Sequence, residues 1–272
     1  MPELPEVETT RRGVEPYVVG RRIVEFAVHE PRLRWRVDPG LSAAVTGTRI
    51  DGAARRAKYL LFTLDNGGTL LLHLGMSGSL RVLPAATPRL THDHLDVVLD
   101  SGATLRFNDP RRFGSLHYTV GDPQGHPLLR RLAPEPLGVD FSSDYLWRAS
   151  RGRRVAIKPL IMNSQIVVGV GNIYASEALF GAGIRPRRQA RGLRRHEVTA
   201  LVQSIRKVLT MAIEVGGTTL RDYVGADGNP GYFRQQLFVY ERAGQPCRVC
   251  DTAIRHAQQG QRATYWCPQC QH

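Results

Sequence analysis

Cys247, Cys250, Cys267 and Cys270 are the chain's four cysteines, spaced C-x2-C, a 16-residue gap and C-x2-C within the last 26 residues. Two such pairs form the paired ligand turns of a tetrahedral zinc site, and four protein ligands leave no open position for water. The spacing therefore predicts one structural Zn2+ rather than a catalytic one. A disulfide framework belongs to small secreted domains, and the 268 other residues contain no cysteine.

Three further segments carry chemistry. The chain begins Met1-Pro2-Glu3-Leu4-Pro5-Glu6; trimming of Met1 exposes Pro2 as a secondary amine. An α-amine of reference pKa about 7.7–8.0 is partly neutral at physiological pH. It can attack a sugar C1′ and leave an iminium, with Glu3 and Glu6 one turn away to move protons. The same residues also suit an ordinary helix start, and both readings stand at this point. In Gly169-Val170-Gly171-Asn172-Ile173, a glycine-punctuated turn feeding a helix fits either a phosphate seat or plain helix–turn–helix packing. Met76 and Arg111-Arg112-Phe113 lie on turns just past strands. There they suit wedges into a nucleic-acid stack, or, for the Phe, a half-buried strand end.

The elements that position these residues divide the chain in two. Tyr59–Leu64 and Thr69–Leu74 flank Asp65-Asn66-Gly67-Gly68, and His94–Leu99 and Thr104–Phe107 flank Asp100-Ser101-Gly102. These are hairpin signals, and short strands over 20–120 predict a sandwich or barrel. Prolines and glycines mark a linker near 120–140. Beyond it, Val198, Leu201, Val202, Ile205, Val208, Leu209, Ala212 and Ile213 recur at helical spacing and stop at Gly216-Gly217. Of the formal +13, residues 1–144 carry +1 and residues 145–272 carry +12. A basic field on one half suits a phosphate polymer. With 34 Arg against 3 Lys, bidentate phosphate contacts are favoured. There is no run of 18 apolar residues and no basic-then-apolar leader, so the expectation is a cytoplasmic protein with no membrane partner.

Taken together these segments resemble the formamidopyrimidine-DNA glycosylase family. The likeness rests on Pro2–Glu8, Ala57–Leu60, His73–Gly78, Asp109–Gly114, Gly169–Ala175, Asp227–Phe233 and Gln261–Thr264, in order along the chain. It implies an α+β multidomain fold: an N-terminal β-sandwich with flanking helices, a helix-two-turn-helix domain, and a C-terminal β-hairpin zinc finger. The expected bounds are 1–125 for the sandwich, 126–140 for a linker, 141–236 for the helical domain and 237–272 for the zinc finger.

The resemblance further implies removal of oxidised purines from duplex DNA and β,δ-elimination at the abasic site, by a monomer acting on damaged double-stranded DNA. Pro2 is the implied nucleophile, Glu3 the general acid, Glu6 a proton-transfer or water-positioning group, and Lys58 the lysine near the lesion. Met76, Arg111 and Phe113 match residues that fill the gap left by an everted nucleotide. His92, Arg112, Lys158, Asn172 and Arg262 match phosphate-binding positions, Arg262 also counting with the catalytic group, and Arg154 joins the DNA-binding set. Residues from Gly217 to about Leu237 match a loop that closes over the flipped base.

Two positions depart from the family pattern. Asp251 replaces a usual Gly after Cys250, where Asp tolerates a left-handed turn, and Asn163 replaces a frequent Asp. The nearest alternative is the sister enzyme endonuclease VIII, which acts on oxidised pyrimidines. The other is a catalytically dead zinc-finger DNA-binding protein, which would not need Pro2, Glu3 and Lys58 together.

Overall fold

The computed structural model describes residues 2–217 and 237–272; the Asp227–Phe233 motif and the capping-loop expectation between Gly217 and Leu237 lie outside the described residues. The described chain forms two compact units, one of residues 2–130 with 215–217, the other of 131–214 with 237–272.

The first unit is a β-sandwich, as the hairpin signals predict. Strands β1 (Ile23–Val28), β2 (Ile50–Arg56), β3 (Tyr59–Leu64), β4 (Gly68–His73), β5 (Ser79–Pro84), β6 (Asp93–Leu99), β7 (Ala103–Asn108) and β8 (Ser115–Val120) build two antiparallel sheets. Their orders are β1-β6-β7-β5 and β2-β3-β4-β8. Alternation sends Leu60, Phe62, Leu64, Leu70, Leu72 and Leu116 of one sheet into the same core as Phe26, Leu95, Val97, Leu105 and Phe107 of the other. Helix α1 (Leu4–Val18) adds Val7, Val14 and Val18 to that core; a short α2 (Leu41–Val45) follows β1. The Glu8–Arg55 ion pair at 3.3 Å and the Arg11 bond to the Ala53 carbonyl at 3.1 Å lay α1 along β2, its N-terminus toward the β2–β3 turn.

The chain crosses between the two sheets twice at that same end. Residues 74–78 carry it from β4 to β5, and residues 109–114 carry it back from β7 to β8. The two crossings touch backbone to backbone. A Cβ on Gly75 would collide with the Gly114 amide nitrogen, and one on Gly114 would sit 2.9 Å from the His73 carbonyl and 3.0 Å from Asp109 Oδ2. Gly75 also has φ of +72°, a conformation that glycine adopts without steric cost.

In the second unit, α3 (Ser143–Ser150) is capped by Ser142, whose hydroxyl accepts the Tyr145 amide at 3.1 Å. Then come α4 (Ile157–Ile161), two turns, α5 (Asn172–Gly181) and α6 (Arg195–Glu214). α5 is buried on every side from Ile173 to Leu179, so it is the helix around which the others pack. The amphipathic α6 ends as its sequence predicts, before Gly216 and Gly217 at φ of +80° and +82°. Part of the expected linker is bound: Ala133 donates to the Ser164 carbonyl at 2.9 Å, and Val168 to that of Pro134 at 3.2 Å. The last element is the hairpin β9 (Arg255–Gln259) and β10 (Arg262–Trp266). Among the described residues no helix is long and apolar enough to cross a membrane.

A buried ionic network stiffens the β6–β7 ladder. Arg106 is paired bidentately with Asp96 at 2.7 and 3.0 Å, lies 3.6 Å from Asp93, and donates to the carbonyls of Thr87 and Pro88. Burial pushes the Asp96 carboxyl up, but its bonds from Arg106 and His29 outweigh this and hold it below the usual carboxylate range. A depressed native pKa gives stability that is present above the unfolded carboxylate value and lost as pH falls through the native one. Asp96→Asn therefore is expected to lower stability by about 1–3 kcal/mol at pH 7, leaving the buried guanidinium with Asp93, 3.6 Å away, as its remaining counter-charge. That deficit should shrink below about pH 4. Urea unfolding of zinc-loaded protein at both pH values checks this, and a pH-independent deficit would show that packing, not charge, is what was lost.

Candidate active site and nucleic-acid interface

Helix α1 begins at Glu3. The Glu3 amide donates to Glu6 Oε2 at 2.8 Å, one arm of a capping box, and Pro5 sits in the first turn, where a missing N–H leaves no hydrogen bond unmade. Pro2, Glu3 and Glu6 are all buried. Gly217 packs here as well: a Cβ on it would stand 3.2 Å from Glu6 Oε1. Both readings of the N-terminus thus meet in one place, since the helix cap and the two candidate proton carriers are the same carboxylates.

The tight β2–β3 turn presents Lys58, with Ala57 held at φ of 54°. Tyr59 pairs with His73 across β3 and β4, and their rings lie 4.8 Å apart. His73 is pushed down to about 4, by burial first and then by the charges of Lys58 and Arg34. It is neutral at pH 7, and its Nδ1 accepts the Gly75 amide at 3.0 Å. A neutral imidazole at the end of β4 thus fixes the start of the first crossing without opposing the Lys58 ammonium.

The crossings expose the expected tips. Arg111 and Arg112 are exposed, and Phe113 is 43% exposed with the Arg111 guanidinium 5.1 Å from its ring centre. Phe113 lies two residues before β8 with more than half of it covered, so the strand-end reading and the exposed tip coexist there. Met76 is half-buried on the neighbouring crossing, and His92 is exposed just before β6. His92 and Arg112 both adopt left-handed conformations, φ of 72° and 54°, that non-glycine residues hold only when their surroundings impose them.

The second unit gathers its own set around the zinc hairpin. Lys158 is 1% exposed, and its ammonium donates to the Ala263 carbonyl at 3.0 Å and to Thr264 Oγ1 at 2.8 Å. Read as a phosphate ligand, it is instead buried against β10. Asn172, first residue of α5, donates from Nδ2 to the same Ala263 carbonyl at 3.0 Å, while its buried Oδ1 has no hydrogen-bond partner among the described residues. Arg262 is exposed beside the tip, in a two-residue turn with Gly260 and Gln261 at φ of 53° and 59°, the signs of a type I′ hairpin. A cleft of about 260 Å³ lies between α4 and this tip, lined by Lys158, Met162, Asn163, Gly260 and Arg262 among others. Asn163 Oδ1 accepts the Gln165 amide at 2.9 Å, a local bond that Asn and Asp side chains both make. Arg154 is exposed before α4.

The four cysteine sulfurs lie within 4.8 Å of one another, with contacts of 3.4, 3.5 and 3.9 Å. Tetrahedral zinc with bonds of about 2.3 Å requires sulfurs about 3.8 Å apart, whereas a disulfide requires about 2.05 Å, so the donor set fits one zinc ion. Knuckle amides point at the sulfurs, Val249 to Cys247 at 3.5 Å and Cys270 to Cys267 at 3.4 Å. Asp251 does take the left-handed conformation expected of it, at φ of 60°.

Sequence reasoning assigned no role to the side chains that hold these parts. Glu177, buried in α5, accepts the amides of Phe238, Val239 and Tyr240 at 2.8, 3.0 and 2.8 Å and so anchors the chain entering the zinc module. Burial pushes its carboxyl up against the pull of those amides. Asp109 and Ser77 tie the two crossings together. The only sequence signal was a carboxylate in a run of helix-forming residues and a polar pair beside glycines.

A sandwich exposing cationic and aromatic tips, with a helix-two-turn-helix unit bearing a four-cysteine hairpin, defines a zinc-finger protein built to handle nucleic acid. Family models agree segment by segment. Residues 1–116 match the formamidopyrimidine-DNA glycosylase N-terminal domain, 132–224 its H2TH domain, and 244–272 the zinc finger found in FPG and IleRS. Formamidopyrimidine-DNA glycosylases of Thioalkalivibrio sulfidiphilus and Stutzerimonas stutzeri are 59% and 55% identical over 271 residues, covering all of both chains. The crystal structure of the MutM (FPG) protein from Thermus thermophilus superposes with a TM-score of 0.89 at 40% identity, over 99% of this chain and 98% of that one. A Lactococcus lactis FPG mutant in complex with DNA containing Fapy-dG gives 0.93 at 34% identity, over the whole of both. The chain belongs to the formamidopyrimidine-DNA glycosylase family.

If the buried ammonium of Lys158 holds the hairpin, Lys158→Met should weaken it by about 1–3 kcal/mol, the cost of leaving Thr264 Oγ1 without that donor and the Ala263 carbonyl with Asn172 alone. Zinc release to a colorimetric chelator should then accelerate markedly over wild type. Equal release rates would place the hairpin's rigidity in the metal alone.

Proposed function

We propose that this protein is a base-excision repair glycosylase and abasic-site lyase. It removes oxidised purines such as 8-oxoguanine from duplex DNA and cuts the strand by β,δ-elimination. The observation that carries the reading is the gathering, at one end of the sandwich, of the α1 start, the Lys58 turn, the half-buried Met76 and the exposed Arg111–Phe113 tip, in a chain of this family. Pro2, freed by loss of Met1, is the nucleophile at C1′. Glu3 protonates the deoxyribose ring oxygen as the sugar ring opens, and Glu6 serves proton transfer from the position where it now accepts the Glu3 amide. Lys58 acts near the lesion.

Reaching C1′ of a stacked nucleotide requires eversion, at a cost of a few kcal/mol. Met76, Arg111 and Phe113 fill the vacated space, and Arg111 meets the opposite cytosine. The basic second half supplies salt-dependent phosphate contacts through Asn172, Arg154 and Arg262, with His92 and Arg112 contributing from the sandwich. Lys158 serves this grip by holding the hairpin that carries Arg262. Residues 1–125 thus supply most of the chemistry and part of the grip, and 141–272 the rest of the hold on the duplex. Zinc, when bound by the four cysteines, stabilises that hairpin. The protein acts as a monomer on damaged DNA in the bacterial cytoplasm.

Borohydride trapping tests the reaction. Zinc-loaded protein lacking Met1, mixed with an 8-oxoguanine:cytosine duplex and reductant, should yield a covalent adduct on the peptide that begins at Pro2. Pro2→Gly should retain some trapping through its primary amine, whereas blocking the amine should remove it. DNA binding without any adduct would leave only a binding protein. Adducts on thymine glycol duplexes and not on 8-oxoguanine would move the enzyme to oxidised pyrimidines.

A further inference from the structure

We propose that Asp109 is a positioning residue whose buried carboxylate couples the loops bearing Met76, His92 and Arg111–Phe113 into one rigid unit, and so sets the choice of base opposite the lesion. The proposal rests on the functional reading above for the role of those tips, and on hydrogen bonding for the coupling.

Asp109 is 0% exposed and sits where the two sheet crossings meet. Oδ1 accepts the Ser77 hydroxyl of the first crossing at 2.8 Å, and Oδ2 accepts the Gly114 amide of the second at 2.7 Å. The backbone of the same residue reaches the third loop and the strand after it. Its amide donates to the His92 carbonyl at 3.0 Å, and its carbonyl lies 2.8 Å from His94 Nε2 and accepts the Arg112 amide at 3.1 Å. Ser77 relays the carboxylate onward. While its hydroxyl proton goes to Asp109, its oxygen accepts the Arg111 amide at 3.2 Å. Only a group that donates and accepts at one atom can stand between a carboxylate and an amide in this way.

The arrangement leaves little slack. Gly75 and Gly114 allow the crossings to touch, and His92 and Arg112 are kept in left-handed conformations. Loops that had to order on binding would lose affinity to that ordering; here the order is present before DNA arrives. A rigid Arg111 judges the opposite base by geometry, whereas a loosened one reaches several bases. Selectivity, more than binding, should therefore depend on Asp109 and Ser77.

Ser77→Ala removes the relay with a small change in volume, Ser77→Thr restores a hydroxyl, and Asp109→Asn turns its NH2 toward Ser77, because the Gly114 amide fixes the remaining oxygen. With zinc-loaded full-length protein, kcat/KM is measured on 8-oxoguanine opposite cytosine and opposite adenine. Amide hydrogen exchange is followed without DNA. Ser77→Ala is expected to lower the cytosine-over-adenine ratio about tenfold, the scale of one lost hydrogen bond expressed in the transition state, and Ser77→Thr to recover most of it. Exchange at Arg112 and Gly114, which Ser77 does not touch, should rise alongside that at Arg111. An unchanged ratio in active Ser77→Ala protein overturns the proposal, as does faster exchange confined to Arg111. Should wild type fail to act on either duplex, the functional reading falls, while spreading of exchange beyond Arg111 would still establish the coupling.

Discussion

A carboxylate carried from water into a protein interior costs several kcal/mol unless donors surround it, and each unit of this protein buries one whose donors lie on irregular backbone. Asp109 takes the Gly114 amide and the Ser77 hydroxyl; Glu177 takes the amides of residues 238, 239 and 240. In both cases the exchange works in two directions. The loop satisfies the acid, and the acid supplies loop amides that no sheet or helix would satisfy. The 109–114 segment is thereby held from beneath, with Arg111, Arg112 and Phe113 left exposed.

Holding from beneath also explains where the backbone is strained. Ala57, His92, Arg112 and Gln261 are four of the six non-glycine residues at positive φ among the described residues, with Glu241 and Asp251 the other two; each of the four is, or immediately precedes, a residue to which the family resemblance gives a place at the lesion or on DNA. Such conformations cost of order 1–3 kcal/mol each and turn a side chain away from its own strand. Asp109 holds two of them, its amide donating to the His92 carbonyl at 3.0 Å and its carbonyl accepting the Arg112 amide at 3.1 Å.

The parts legible in the sequence were those written in local periodicity. The 59–74 and 93–108 hairpins, the α6 stripe with its glycine stop, and the cysteine spacing each need only neighbours along the chain, and each stands where it was read. Pairing between distant segments was not legible. Nothing in Gly75-Met76-Ser77 or Asp109–Gly114 says that two sheet crossings will touch, though the glycines are what permits it. Lys158 shows the limit most clearly. The family resemblance makes it a phosphate ligand, while in the fold its acceptors lie 105 and 106 residues away on β10. Burial of a charge is decided by a partner that composition does not reveal.

The N-terminus shows why helix capping and catalysis need not compete as explanations. Glu6 closes the capping box on the Glu3 amide, which fixes both carboxylates at the first turn of α1, where the helix carries its partial positive charge. An amine at Pro2 lies at that same pole. The anchored carboxylates there offer acceptors for the proton an attacking amine sheds. Moving Pro2 a turn away would lose those acceptors even if every side chain were kept. The cap is therefore the structural cause of the arrangement on which the proposed chemistry depends, and the proline in the second helical position, lacking an N–H, leaves the remaining first-turn amides to those acids.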